Sequence, residues 1–324
     1  MQPIKRLALA ALAALAMTFP AQAEDKATLR LNWLAYGFHA PFYLGVARGL
    51  YKQQGIELEI GEGQGSGRAV QAVAAGSDTF GLADGTAIVA GVARGVPIQA
   101  VMGIMNRGPN GIIVPKASGI TDIHGLTGQT IAATTGEASL VLMPAVLRAQ
   151  KMPPDAIRFL RIDGAAKLVA VLEKRAAGML GGVENQALIL DSRGTPVTTL
   201  LFSDLGANTI GLAILATTDL IKKDPALIRR FAAATRSAYE LAAKDPEAAI
   251  DALLAAKPTL DRALSMAQLK AGMTLMESPA GPGQKIGVMA EQDWTGTLAL
   301  MKEFQELQTA LPASAFWTND MLPK

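Results

Sequence analysis

The stretch that determines the fold covers residues 28–60 and reads TLRLNWLAYGFHAPFYLGVARGLYKQQGIELEI. Residues 28–33 and 56–60 are short apolar runs typical of strands, and the second run alternates apolar with acidic residues. The amphipathic segment 42–54 between them predicts a helix, and Gly55 stands where a glycine commonly ends one. Because a helix is the usual connection between parallel neighbours, this stretch predicts the first unit of a parallel sheet.

The alternation of strands and helices continues along most of the chain. Further strands are predicted at 78–83, 98–105, 111–115, 130–133 and 157–162, with helices at 68–75, 86–94, 137–151 and from Asp163 to residue 177. The last third is mostly helical. There Asp224 and Asp245 each precede a proline at a first helical position, which predicts helices at 225–243 and 246–256. The pattern predicts the α/β class, with two α/β units and a helical tail.

Composition excludes several function classes. The 324 residues are 50% hydrophobic, which is enough for two domains with well-buried cores. There is no cysteine, so disulfides, iron–sulfur clusters, cysteine-bound zinc and a thiol nucleophile are excluded. The two histidines, His39 and His124, are too few for a histidine-rich metal site.

The N-terminus has the features of an export signal. Lys5 and Arg6 precede the apolar run 7–19, and the small residues Ala21 and Ala23 flank Gln22 as in a cleavage site. We predict cleavage after Ala23 and a periplasmic location. Loss of residues 1–23 leaves 28 basic and 28 acidic residues, so there is no electrostatic case for nucleic acid binding.

Motif searches give no positive sign of catalysis. The chain has no Gly-Lys dipeptide and therefore no P-loop. The segment 63–68, GQGSGR, is similar to a dinucleotide fingerprint, but Arg68 stands where the third glycine belongs. Three interpretations stay open for this segment: a tight turn, a cradle for a polar ligand, or nucleotide binding. His124 lies in a segment typical of a surface turn, so no serine triad is indicated. We predict that the chain is not an enzyme and needs no cofactor or metal.

Six aromatic residues are concentrated between residues 33 and 51: Trp33, Tyr36, Phe38, Phe42, Tyr43 and Tyr51. One interpretation is a helix that faces the core. The other is a ligand pocket, because residues 34–40 follow the first strand, at the edge where open α/β sheets bind ligands. We therefore include Trp33, His39, Phe42 and Tyr43 among the candidate pocket residues.

Several segments together resemble one family. They are LNW at 31–33, HAPFY at 39–43, GLYKQQGIEL at 49–58, GQGS at 63–66, VAAGSDTFGLAD at 73–84, GLTGQTI at 125–131 and FWTNDMLP at 316–323. The combination resembles the extracytoplasmic substrate-binding proteins of ABC importers, in the SsuA/THI5-like (NMT1-like) family for nitrate, sulfonates, taurine and thiamine-pyrimidine precursors. The resemblance extends from about Leu29 to the C-terminus.

The resemblance implies a type II periplasmic-binding fold, in which two α/β lobes are joined by two crossover strands and enclose a small molecule. We place the crossings near 100–110 and 208–216. The first lobe would then comprise residues 26–105 plus 212–324, and the second lobe residues 106–211. The implied partners are a small-molecule solute and the permease and ATPase subunits of an importer, with the protein itself a monomer.

The resemblance also implies contacts at the strand-to-helix turns of both lobes. The implied ligand-binding residues are Asn32, Trp33, His39, Gly65, Ser66, Asp84, Gly85, Thr134, Gly136, Glu137, Glu184 and Asn185. For Asp84 a helix cap alone is the alternative. Many relatives carry an aspartate around residues 177–179, where this chain has none.

The expected ligand is a flat heteroaromatic such as a thiamine pyrimidine precursor. Trp33 would stack on the ring, while Asn32, His39 and Glu184 would bond to its nitrogens and amine. The alternative within the same role is an anion, namely nitrate, a sulfonate or a taurine-like molecule, for which only Arg68 and Arg107 are near. Two other classes stay open: an exported ligand-sensing module, and a THI5-like pyrimidine synthase that consumes its own histidine.

Overall fold

Two five-stranded sheets form the centre of the structure, a computed structural model that describes residues 24–278, 280–304 and 307–323. The strands are β1 (Asp25–Arg30), β2 (Ile56–Gly61), β3 (Phe80–Asp84), β4 (Ile98–Gly103), β5 (Asn110–Pro115), β6 (Thr130–Ala133), β7 (Arg158–Arg161), β8 (Gly178–Gly182), β9 (Val197–Leu201) and β10 (Leu212–Thr217). The predicted signal peptide, residues 1–23, lies outside the described residues.

Both sheets have the same topology. In the first sheet the order is β2-β1-β3-β10-β4, with β1 parallel to β2 and β3, and β10 antiparallel between β3 and β4. In the second sheet the order is β7-β6-β8-β5-β9, with β6 parallel to β7 and β8, and β5 antiparallel to β8 and β9. In each sheet the antiparallel strand, β10 or β5, is the first strand after the chain crosses over from the other sheet. The predicted α/β class with two crossings is confirmed.

The chain passes between the sheets at 104–109 and again at 202–211. The backbone N–H groups of Ile104 and Met105 both donate to the carbonyl oxygen of Leu212, at 2.8 and 2.9 Å. The two connections therefore lie side by side, and these hydrogen bonds hold them together.

We use "first lobe" and "second lobe" for the first and second sheets with the helices packed on them. The predicted residue boundaries of the lobes, 26–105 plus 212–324 and 106–211, stay predictions.

Helices cover both faces of each sheet. They are α1 (Ala40–Ala47), α2 (Leu50–Gln53), α3 (Ser66–Ala74), α4 (Gly85–Ala93), α5 (Ala138–Ala149), α6 (Gly164–Leu172), α7 (Gln186–Ser192), α8 (Thr218–Lys223), α9 (Pro225–Lys244), α10 (Pro246–Ala256), α11 (Arg262–Met273) and α12 (Glu291–Phe304). The caps of α9 and α10 form as predicted: Asp224 accepts the N–H of Leu227 at 2.9 Å, and Asp245 that of Ala248 at 3.0 Å.

Two predicted helices are shorter than expected. The helix predicted at 42–54 is divided into α1 and α2, because Gly49 adopts a left-handed conformation with φ of 66°. The helix predicted from Asp163 to residue 177 ends at Leu172, and Lys174 follows with φ of 59°. The Asp163 side chain forms no capping hydrogen bond there.

The apolar cores lie on the faces of the sheets and leave the space between the sheets to polar groups. On one face of the first sheet, Phe80 of β3 stacks on Phe231 of α9 with ring centroids 4.0 Å apart. Separate buried clusters cover the other face and both faces of the second sheet. Among the described residues, no helix is both long and apolar enough to span a bilayer.

Candidate functional site

A cavity of about 90 Å³ lies between the two sheets, where loops that follow the strands of both lobes meet. Eight of the predicted site residues line it: Asn32, Trp33, Gly65, Ser66, Asp84, Glu137, Glu184 and Asn185. The wall thus combines one indole with amide, hydroxyl and carboxyl groups from both lobes. An aromatic wall with a few polar groups is typical of small-molecule sites.

The loop after β1 is held in place by its backbone and by a buried histidine. The N–H of Gly63 donates to the carbonyl of Trp33, and that of Gly65 to the carbonyl of Asn32. A Cβ on Gly63 would lie 1.8 Å from a backbone oxygen of Leu31, so only glycine fits this close approach. The loop is therefore fixed against the turn that opens α3.

His39 orients Asn32 instead of lining the cavity. It is fully buried, and burial lowers its pKa to about 3, so the ring is neutral. Its Nε2 lies 2.9 Å from Oδ1 of Asn32, and as an N–H it donates to that oxygen. The Asn32 side chain thus has its amide nitrogen available for the cavity.

Asp84 ends β3 and connects the two lobes. Its Oδ1 accepts hydrogen bonds from the backbone N–H and the hydroxyl of Thr86, which caps α4. Its Oδ2 accepts from the side-chain amide of Asn110 in the second lobe at 3.1 Å. The expected helix cap is present, and the same carboxyl group also lines the cavity.

Glu184 combines a buried carboxyl group with a raised pKa. The hydroxyl of Tyr36 in the first lobe donates to its Oε1 at 2.9 Å, while Oε2 is buried and has no hydrogen-bond partner among the described residues. Burial, aided by the nearby charge of Asp84, raises the pKa of Glu184 to about 7. A buried oxygen without a partner costs free energy unless a ligand or water supplies the donor.

Replacing Asp84 with asparagine is expected to lower the pKa of Glu184, because the charge of Asp84 helps to raise it. Asparagine also caps helices well, so the fold should persist. Carbon-13 NMR titration of the glutamate carboxyl groups measures the shift. Asp224→Asn makes the same change at the cap of α9, away from the cavity, and should leave the Glu184 titration unchanged. An unchanged pKa in Asp84→Asn would contradict this electrostatic coupling.

Glu137, in the second lobe, is paired with a buried lysine. Lys167 of α6 has a fully buried side chain; its Nζ donates to Oε2 of Glu137 and, at 2.8 Å, to the carbonyl of Leu180. The N–H of Thr134 donates to Oε1 of Glu137 at 2.8 Å. Both oxygens are thus engaged, and the negative charge of Glu137 is balanced within the wall.

Six predicted residues do not line this cavity. They are His39, Phe42, Tyr43, Gly85, Thr134 and Gly136. Phe42 is fully buried and packs edge-on against Tyr239, so the core interpretation describes it better. Gly85 faces Ile210 inside the first lobe, and Gly136 borders a different cavity of about 940 Å³ beside α3 and α4.

The structure also adds lining residues that the sequence analysis did not select, chiefly Tyr36, Asn110, Ser139 and Gln186. Tyr36 was visible as one of the clustered aromatic residues, and Asn110 lies at the predicted first crossing. For Ser139 and Gln186 the sequence carried no distinguishing signal. Among the described residues, no cluster of histidine, aspartate and glutamate could hold a metal ion.

Comparisons with known proteins agree with this architecture. A family model described as NMT1/THI5 like matches residues 37–249. The structure of the periplasmic aliphatic sulphonate binding protein SsuA from Escherichia coli superposes with a TM-score of 0.71 at 17% identity, over 91% of this chain and 92% of that one. This similarity confirms the predicted periplasmic-binding fold.

Two sequence relatives carry functional names. The riboflavin-binding protein RibY of Chloroflexus aurantiacus is 25% identical over 92% of this chain and 86% of its own length. The 4-amino-5-hydroxymethyl-2-methylpyrimidine phosphate synthase THI11 of Saccharomyces cerevisiae is 26% identical over 75% of both chains.

One prediction has to be corrected. We predicted that the chain is not an enzyme, and this is contradicted by relatives from yeast, Legionella pneumophila and Aspergillus parasiticus that are named as synthases. The sequence argument relied on the absence of familiar catalytic motifs, and such an absence does not separate a binding protein from an enzyme on the same fold.

Proposed function

Because the chain belongs to the NMT1/THI5-like family, we propose that it is a periplasmic solute-binding protein that captures a small nitrogen heteroaromatic between its lobes and delivers it to an ABC permease. The observation that carries the ligand class is the buried, unpartnered Oε2 of Glu184 in a cavity walled by Trp33. An exocyclic amine or a ring N–H supplies the donor that this oxygen lacks, while the ring stacks on the indole.

The charge of the cavity argues against anions. Asp84, Glu137 and Glu184 line it, and no arginine or lysine is among its described lining residues. Lys167 is nearby, but its ion pair with Glu137 already neutralises its positive charge. Arg68, one of the two candidates for an oxyanion site, is exposed and bonds to Gln64. A nitrate or sulfonate would therefore meet carboxyl groups without a compensating cation.

The size of the cavity favours a single ring. Sites for drug-sized molecules usually have volumes of about 300–1,000 Å³, and this cavity has about 90 Å³. A pyrimidine with small substituents suits such a space better than a fused tricyclic ring. The names of the relatives support the class, since riboflavin and the aminopyrimidine phosphate are both nitrogen heteroaromatics.

A thermal-shift screen of residues 24–324 tests the ligand class. The panel holds pyrimidines, aromatic acids, flavins, nitrate, bicarbonate, taurine and alkanesulfonates. At about a thousandfold excess over Kd, binding stabilises by about 4 kcal/mol, a shift of several degrees. We expect the largest shift from an aminopyrimidine. A shift from oxyanions alone would overturn the heteroaromatic assignment.

Uptake measurements test the transport role separately. Deleting the gene should abolish high-affinity uptake of the compound that the screen identifies, and restoring it should recover uptake. Normal uptake in the deletion strain would point to a sensing module, which hands its bound form to a receptor instead.

Pyrimidine phosphate synthesis is the second candidate, favoured by the names of the yeast and Legionella relatives. The test is incubation with pyridoxal phosphate and ferrous iron, followed by mass spectrometry for the named pyrimidine phosphate and for the peptide that contains His39. Formation of the product together with a changed His39 would establish this candidate.

A further inference from the structure

We propose that Gly164 is a positioning residue of the ligand site: because it lacks a side chain, the indole of Trp33 in the first lobe can lie directly against the second lobe when the lobes enclose a ligand. The inference rests on the proposed function and adds a residue that does not line the cavity.

The contact between Trp33 and Gly164 is unusually close. A Cβ placed on Gly164 would lie 2.6 Å from Cη2 and 2.7 Å from Cζ2 of Trp33, nearer than real Cβ contacts come. The two atoms belong to the outer edge of the indole. That edge therefore lies directly against the backbone of Gly164, at the first position of α6.

The backbone conformation does not explain the glycine. Gly164 is absent from the positive-φ glycines of the described residues, which include Gly49 and Gly65. In backbone of ordinary helical conformation, glycine offers no conformational advantage over alanine. The feature that only glycine supplies here is the space that the indole occupies.

Trp33 cannot easily yield to a larger residue. The carbonyls of Asn32 and Trp33 accept hydrogen bonds from Gly65 and Gly63, so the loop backbone is fixed. A methyl group at position 164 would force the indole to rotate out of the cavity wall, or would keep the lobes apart. Either change opens the cavity beside Trp33.

Two polar contacts also join the lobes. Tyr36 donates to Glu184, and the side-chain amide of Gln268 donates to Asn185 at 2.8 Å. These hydrogen bonds form only at one separation of the lobes, and the close approach of Trp33 to Gly164 belongs to that same separation.

The test uses Gly164→Ala, with Gly296→Ala as the matched control. Gly296 also lies in a helix, and a Cβ there would meet nothing within 4 Å. The chain has no native cysteine, so Gln53→Cys and Asp191→Cys place one spin label on an exposed site of each lobe without background labelling. Double electron–electron resonance then measures the distance between lobes, with and without 4-amino-5-hydroxymethyl-2-methylpyrimidine.

We expect Gly164→Ala to shift the distances to longer values and to weaken binding of that pyrimidine about tenfold, whereas Gly296→Ala changes neither. Adding Trp33→Phe to Gly164→Ala should restore the shorter distances, because phenylalanine lacks the outer indole edge. Gly164→Ala that matches the unsubstituted protein both in the distances under the two conditions and in affinity for that pyrimidine would overturn the proposal. A shift in distances without pyrimidine binding would retain the role of Gly164 and reject the ligand class.

Discussion

Replacing Trp33 with alanine is expected to weaken ligand binding about 30-fold while the protein stays folded. Aromatic anchors in binding sites contribute about 2 kcal/mol or more when truncated, and tenfold in affinity corresponds to about 1.4 kcal/mol. The substitution removes the stacking surface of the cavity and the contact with Gly164 together. The fold should persist because Trp33 lies in a loop, is only partly buried and belongs to none of the core clusters.

Trp317 offers a matched control for this prediction. It is also partly buried, but it stacks on Trp294 with ring centroids 6.2 Å apart, away from the cavity. Trp317→Ala should therefore lower the unfolding temperature and leave affinity unchanged. Isothermal titration calorimetry gives both affinities, and circular dichroism reports the fold. Equal affinity in Trp33→Ala and the unsubstituted protein would show that the indole does not contact the ligand.

Local signals account for what the sequence predicted well. Helix α10 and strand β6 have the predicted bounds. The signal for α10 is a capping aspartate followed by proline, and the signal for β6 is a short run that begins with two β-branched residues. Each signal lies within a few residues of the element that it predicts. Strand β1, by contrast, covers Asp25–Arg30 and not 28–33. Leu31 follows the strand but is fully buried in the loop after it. An apolar pattern does not separate a buried loop residue from a strand residue, so the predicted strand extended too far.

The same distinction applies to the site. Residues at strand-to-helix turns, such as Ser66 and Asp84, were predictable because the turn itself brings them to the edge of the sheet. Tyr36 and Glu184 contact each other across 148 positions, and one sequence contains no local sign of such a pairing. The aromatic cluster likewise could not distinguish Phe42, which packs in the core, from Trp33, which faces the cavity.

Affinity for an amine-bearing heteroaromatic is expected to fall about tenfold for each pH unit below about 7, or about 100-fold by pH 5. Glu184 has a pKa of about 7, raised chiefly by burial. Only its ionised form offers a free Oε2 that accepts a donor without a competing proton. At pH 8 the group is already ionised, so affinity should be constant above that value.

Ligand affinity and the free energy of unfolding depend in opposite directions on the ionisation of Glu184: ionisation strengthens binding and weakens folding. Without ligand, the folded protein holds a proton on Glu184 that the unfolded chain, with an ordinary pKa of 4.5, has lost. The free energy of unfolding should therefore fall as the pH rises from about 5 to about 7. A ligand that binds ionised Glu184 removes that proton, so binding at pH 6 should release about one proton and binding at pH 8 almost none.

Calorimetry at pH 6 in buffers of different ionisation enthalpy counts the released protons directly. Glu184→Gln keeps an oxygen for the Tyr36 hydroxyl but cannot ionise, so it should bind weakly at every pH and release no proton. Asp293→Asn is the matched control: burial also raises the pKa of Asp293, yet its carboxyl bonds to Ser278, outside the cavity. That variant should keep the full pH dependence. A ligand whose affinity is the same at pH 5.5 and pH 8 would mean that Glu184 does not accept its hydrogen bond, and the heteroaromatic amine would lose its main structural support.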